Sequence, residues 1–337
     1  MKFNPEINPL LLKFSRSSCI IWLTVPTTPL PLACGPRWVI FFLDIKPLPM
    51  TIKPALSVSE QVKLLQTRGL IIENPSSAEA LLLQNSYYRL NIYFHKYMKA
   101  ENCFKVGTTF EDIVAVYEFD RWLRNRLLTL LEPIEIHIKT RIAYRLSHSY
   151  GSDCFYKDNC FKNIDDFKKV TKDFENERNR NYKDPIILHH ETAYRGKYPI
   201  WVVVEFLSFR AVSNIFACMH ERDKKQIAKD AYNVNEYFLG QWLHTLSVLR
   251  NICAHYGYLF RREFSVRPKL YREFGWDTNN NGSLFAMCLV LRRLSKQQDW
   301  VAFSKALSDK AAVLGRLSLE DYGFPSDWQR YLISAKG

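Results

Sequence analysis

Between Leu246 and Arg262 the chain reads LSVLRNICAHYGYLFRR, a run of core-helix character interrupted by Arg250, Asn251 and His255. A guanidinium can hold a phosphate through two parallel N–H bonds and keeps its charge at any working pH. An imidazole titrates near neutrality and can give or take a proton. Around a phosphodiester these two groups match what metal-free RNA cleavage needs. The 2′-hydroxyl attacks, the histidine assists proton transfer, and the cations stabilise the phosphorane. Arg250 and His255 are therefore the catalytic candidates, with Asn251 beside them. Arg261, Arg262 and Tyr258, just beyond, are the candidate RNA-binding residues. This chemistry calls for no metal and no other cofactor.

Those side chains need a helix to present them. At 100° per residue, Trp242, Leu246, Leu249, Cys253 and Tyr256 fall within one stripe, the expected core side. Asn251 and His255 project from the other side, edged by Val248 and Ile252. Arg250 lies between the faces on a long stem. Gly257 is expected just past the helix end, which puts His255 in the last turn, where unpaired carbonyls favour an imidazolium. One Arg and one His are sparse for phosphodiester cleavage. Two copies of the chain around a two-fold axis would supply two of each and would cover the apolar edging, so a homodimer is expected.

The elements around this helix also read as helical. SVSEQVKLLQTRGL carries Ser57 followed three residues later by Glu60, a capping box, and closes on Gly69. SSAEALLLQNSYYRLNIYFHKYM supplies one or two helices dense in Tyr. The extended piece FKVGTTF leads to Thr109, which caps a long segment closed by Gly151. In that segment Leu123, Leu127, Leu130, Ile134, Ile138 and Ile142 step by three and four along one stripe, and Pro133 is expected to kink it. IDDFKKVTKDFENERNR reads as a solvated helix, PIWVVVEFLSFRAVSNIFACM as one buried helix after Pro199, and HERDKKQIAKDAY as another. A final helical pair spans 283–316. No segment alternates as a strand, so the fold class is all-α. Four regions are expected: a tail over 1–49, a helical subdomain over 50–106, the helical domain with the motif over 107–274, and C-terminal helices packing on the core over 275–337.

A net charge of +13 points to a polyanionic partner, most simply RNA, with an anionic membrane surface as the competing reading. Met1–Pro49 holds five basic and two acidic residues, so the rest of the chain keeps a net charge of +10. The apolar run Cys19–Val25 is short for a signal peptide, and the prolines at 26, 29 and 31 forbid a membrane-spanning helix. The expectation is that translation starts at Met50 and that the protein is cytoplasmic. The eight cysteines form no C-x-x-C pair, and Cys154 with Cys160 has no second half at zinc spacing, even with His189 and His190 offered. Free, mostly buried thiols are expected.

RNICAHYG resembles the RN-x-CAH-x-G signature of the abortive-infection (Abi) bacteriophage-resistance family of the AbiD/AbiF type, part of the HEPN superfamily of helical RNases. The resemblance covers nearly all of Lys53–Phe274 and includes KPALSVSEQVKLLQTRGLII, NSYYRLNIYFHKY, GTTFEDIVAVYEFDRWLRNRLL and PIWVVVEFLSF. It implies a helical HEPN unit, a dimer with Arg250 and His255 as catalytic residues, and a toxic RNase of phage defence. A small structured RNA is an expected inhibitor, as for some members of that family. The family often has arginine where this chain has Tyr258, and Arg261 and Arg262 are the candidates to replace it. Two readings compete with the nuclease. One is a non-catalytic RNA-binding or regulatory protein, and the other a peripheral membrane protein resting on Met1–Pro49. Arg121, Arg124, Lys139, Glu132 and Glu135 are expected as helix-surface ion pairs or as a cleft lining opposite the motif. Tyr87, Tyr88, Tyr93, Phe94 and Tyr97 are expected as core or as base-stacking rings.

Overall fold

Helix-starting residues divide the chain much as their chemistry dictates. In the computed structural model Ser57 caps α1 (Val58–Thr67), and its own N–H donates to the Glu60 carboxylate at 2.7 Å, completing the capping box. Asn74 caps α2 (Pro75–Asn85), with Pro75 in the first turn, where its missing N–H costs nothing. Ser86, at φ +58, separates α2 from α3 (Tyr87–Phe94). Thr109 and Asp112 form a second capping box at the start of α4 (Phe110–Tyr150), and Gly151 at φ +93 ends it.

The structure describes residues 53–100, 102–276, 281–315 and 317–333, together with the antiparallel pair β1 (Phe14–Ser15) and β2 (Ser18–Cys19). The chain divides into Met1–Leu56 and Ser57–Gly337. Most of Met1–Pro49 lies outside the described residues, including the stretch read as a candidate signal peptide. In the second unit a short antiparallel pair, β3 (Met98–Ala100) with β4 (Cys103–Phe104), occupies the stretch before Thr109. Among the described residues of that unit the other named elements are helical, and the fold is all-α.

The 41 residues of α4 make a rod about 60 Å long. Its expected stripe, Leu123, Leu127, Leu130, Ile134, Ile138 and Ile142, is buried throughout. The helix runs through Pro133 without interruption, although that proline has no N–H to give the Thr129 carbonyl. Around α4 pack α3, α7 (Ile200–Phe206), α8 (Phe209–Cys218), α9 (Glu221–Tyr232), α10 (Glu236–Ala254), α11 (Leu284–Leu294) and α12 (Gln297–Ala311). The polar α5 (Ile164–Arg180) buries Phe167, Val170 and Phe174 against α7 and α8. Helices α6 (Pro185–Ala193) and α13 (Trp328–Leu332) complete the set. The single helix expected after Pro199 is two. Ser208 has extended backbone and its hydroxyl accepts from the Ala211 N–H, so a cap chemistry hidden in an apolar run breaks it into α7 and α8.

Among the aromatic residues of α3 and its flank, Tyr93, Phe94 and Tyr97 are core, whereas Tyr88 faces solvent. Five of the described cysteines are buried and Cys103 is exposed, all as free thiols. No helix among the described residues is long and apolar enough to cross a membrane.

Candidate functional site

Helix α10 is seated by Trp242, Leu243, Leu246, Leu249 and Cys253, all buried against α8, α4, α9 and α11. Each large apolar side chain there contributes roughly 1.5–3 kcal/mol of burial, so the helix has little freedom to roll. Its polar residues are consequently held in fixed directions. Arg250 reaches across to α4, where its Nε lies 3.2 Å from Glu135 Oε2. The other Glu135 oxygen lies 3.4 Å from Lys139 Nζ, which also donates to the Glu205 carbonyl at the end of α7 (3.4 Å). One carboxylate, nearly out of solvent, thus sits between two cations.

These groups line an open pocket of about 420 Å³ between α4 and α10, together with Leu128, Thr129, Glu132, Ile136 and Ala254. Arg250 stays about one-third exposed on its wall. Asn251, half-buried, has its Oδ1 3.5 Å from Arg250 Nη1.

His255 stands at the C-terminal cap of α10, its N–H donating to the Asn251 carbonyl at 3.0 Å, and its side chain is exposed. Five residues along an α-helix amount to a rotation of about 140° and a rise of about 7.5 Å. Arg250 and His255 therefore do not share one pocket in a single chain: the first faces α4 and the second stands at the helix end.

The turn after His255 is fastened from two sides. Tyr256 takes a left-handed conformation (φ +60), its N–H donating to the Cys253 carbonyl at 3.3 Å, and the Gly257 N–H donates to the Ile252 carbonyl at 2.8 Å. This is the Schellman hydrogen-bond pattern with a tyrosine where glycine usually stands. Tyr256 was expected on the core stripe. The left-handed turn takes it off the helical phase, and it is 69% exposed. Gly257 is required for a different reason. A Cβ there would lie 3.0 Å from the Ile252 Cγ2 and 3.1 Å from the Ile252 carbonyl oxygen. Arg89 of α3 donates to the Tyr256 carbonyl at 3.0 Å.

Two residues further on, the backbone N–H groups of Leu259 and Phe260 donate to Asp120 Oδ1 at 3.0 and 2.9 Å. Asp120 is fully buried on α4, accepts from the Tyr93 hydroxyl at 2.9 Å, and pairs with Arg124. Burial pushes its carboxyl up, and Arg124, Tyr93 and the two amides oppose that rise. The same burial, with Asp120 alongside, raises the Tyr93 hydroxyl. This knot anchors the post-motif loop to the central helix. Nothing local in the sequence marks Asp120, because the two amides it accepts from lie 139 and 140 positions away.

The expected ion-pair residues separate accordingly. Arg121 makes an exposed pair with Glu118, Arg124 is buried on Asp120, and Glu132, Glu135 and Lys139 line the Arg250 pocket. Of the candidate RNA-binding residues, Arg262 donates to the Tyr258 carbonyl at 3.1 Å and lies 4.8 Å from that residue's ring centre. Tyr258 is partly exposed, so ring and guanidinium present one surface. Arg261 is occupied: its Nε lies 2.8 Å from Asp321, which also holds Lys96. Cys253, in the middle of the motif, is a packing residue whose thiol burial pushes up to about 12.

A family model described as Abi-like protein matches residues 80–261, from within α2 through the motif helix and its anchored loop. The chain belongs to the Abi-like protein family. That membership supports a role in abortive infection, the defence of a cell population against bacteriophage. Neither a curated relative nor a solved structure matches the chain. The match covers the stretch that carries Asp120, Glu135, Arg250 and His255, whereas α1 and α11–α13 lie outside it.

Proposed function

We propose that this Abi-like protein is a metal-independent endoribonuclease of the HEPN type, a toxin acting in abortive infection through a dimeric R-x4-H site. The observation that carries the reading is the presentation of its two key side chains. Arg250 lines an open pocket and His255 is exposed at the end of the same helix, neither sealed in the core. Their divergence around α10 supports the dimer. A phosphodiester bound by Arg250 of one copy would meet His255 of the other, and both cations would flank the charge that develops on phosphorus. Arg262 and Tyr258 would then hold the flanking strand by phosphate contact and stacking.

Incubation of purified protein with cellular RNA in the presence of a chelator tests this. Wild type should leave discrete cut ends, and Arg250→Ala and His255→Ala should each reduce cleavage at least about a hundredfold while folding normally. Either variant cutting like wild type sinks the assignment. The second reading is an RNA-binding regulator without catalysis, motivated by Arg250 and Arg261 being held by Glu135 and Asp321. It predicts an RNA mobility shift with no fragments at any protein excess.

A further inference from the structure

The chain around α6 and α7 holds a second pocket, of about 530 Å³, well inside the ~300–1,000 Å³ range of small-ligand sites. Its walls are rings. His190 stacks against Tyr194 (5.2 Å between centres, 30° between planes) and against Tyr198 (5.2 Å, 20°). The inner part of this stack is fixed. Tyr198 is buried, its hydroxyl donates to Glu191 at 2.6 Å, and its backbone N–H donates to the Tyr156 hydroxyl at 2.9 Å. The outer part is open: Tyr194, Trp201 and Tyr156 are 55%, 50% and 46% exposed.

Single exposed aromatic residues on a protein surface need no explanation. Three large rings, half in water and gathered around one cavity, with their backing rings hydrogen-bonded in place, are a built surface. Lys197 is exposed on the same wall. Arg195, next to Tyr194, is held in a left-handed conformation (φ +54), a strained state that persists where the surroundings impose it.

We propose that this pocket binds an unpaired nucleobase of single-stranded RNA, stacked on the open faces of Tyr194 and Trp201, with Lys197 taking an adjoining phosphate. Flat aromatic faces beside a cation fit a base and its phosphate, and the chain's net charge of +13 favours a polyanion. Bases in a duplex are already stacked on their neighbours, so only a single strand can offer one to the pocket.

Helix α7 gives the pocket a relation to the motif. Trp201 and Glu205 lie one turn apart on its exposed side, and the Glu205 carbonyl receives Lys139, a wall residue of the Arg250 pocket. A strand with a base on Trp201 would run along this short helix toward Arg250. That directional step rests on the nuclease reading, whereas the chemistry of the pocket does not.

The test uses the full chain, both as wild type and with His255→Ala, and a labelled, unstructured RNA of about a dozen nucleotides. Binding is read by anisotropy and contact by cross-linking of a 4-thiouridine RNA. The cross-link should map to residues 194–201. The Tyr194→Ala/Trp201→Ala double variant should bind single strand about ten- to a hundredfold more weakly, with duplex binding unchanged. Trp201→Phe, which keeps a ring, should retain most of the affinity. Unchanged single-strand binding by the double variant, or cross-links only elsewhere, overturns the proposal. So does occupancy by AMP alone with no RNA bound, which assigns the pocket to a free nucleotide. Intact binding and cross-linking without any cleavage removes the nuclease reading and leaves the pocket standing. Cleavage by a double variant that binds like wild type does the reverse.

Discussion

Arg250 of α10 and Glu135 of α4 face each other at 3.2 Å, and the same carboxylate holds Lys139 at 3.4 Å. An arginine so held has lost most of its rotamer freedom before any ligand arrives, which is the condition for holding a phosphate in a fixed geometry. Under the nuclease reading Glu135 is a positioning residue. Glu135→Gln leaves the buried Lys139 ammonium without its carboxylate and should lower the melting temperature. At a temperature where it is fully folded it should lower kcat about tenfold or more with KM little changed, Glu135→Asp recovering part of the loss. Wild-type kcat in Glu135→Gln would mean that the pair plays no part in catalysis.

The divergence of Arg250 and His255 around α10 leads to a test that single variants cannot provide. If one site draws its arginine and its histidine from different copies, mixing inactive Arg250→Ala and His255→Ala proteins should restore cleavage through heterodimers. The recovery should be partial, should exceed the sum of the two inputs, and should require subunit exchange. Absence of recovery from a mixture shown to contain heterodimers would place both groups in one chain.

Asp120 is the fold's concentrated polar investment, accepting from Leu259, Phe260 and Tyr93 and pairing with Arg124 in the core. Asparagine keeps one oxygen for the two amides on Oδ1 but turns an NH2 donor toward Tyr93 and Arg124 on the Oδ2 side, which strands a buried guanidinium. Asp120→Asn should therefore destabilise the protein by roughly 3–5 kcal/mol in urea unfolding, against roughly 1 kcal/mol for Tyr93→Phe. Equal effects from the two would show that the carboxylate charge is immaterial.

How far these relationships were legible in the sequence depended on their range. The capping boxes at Ser57–Glu60 and Thr109–Asp112 are spelled within four residues, and the α4 stripe within one helical repeat, so both could be read directly. Arg250 and His255 stood out because their residue types do not suit a core helix. Arg124 reads as a helix-surface cation and Asp120 carries no signal of its own, because only the fold brings Leu259 and Phe260 to Asp120. The ring pocket draws on residues from 152 to 202 across several elements, with no spacing to betray it. Tyr256 leaves the expected stripe because periodicity assumes that the helix continues, whereas it ends at Ala254 with His255 as its cap, two residues short of Tyr256.

Tyr256 and Gly257 carry opposite predictions. A non-glycine residue at φ +60 costs about 1–2 kcal/mol, partly offset by the flexibility that glycine adds to the unfolded chain. Tyr256→Gly should therefore be neutral or stabilise by up to about 1 kcal/mol. Gly257→Ala forces a Cβ against Ile252 and should destabilise by about 1–3 kcal/mol, and by shifting His255 it should also reduce cleavage. Thermal melts of both variants, read beside activity, check the pair.

His244, half-buried on α10, is held below its ordinary value of 6.5 by burial and by Arg210. The unfolded chain therefore takes up this proton at a higher pH than the folded one. As pH falls below 6.5 the unfolded state gains protons first, so stability drops until the folded pKa is passed, and rises again with pH. Replacing His244 with Gln should flatten that acid limb in urea midpoints measured across it, while leaving the stability above neutrality nearly unchanged. A variant that keeps the full acid sensitivity of wild type would assign it to other groups.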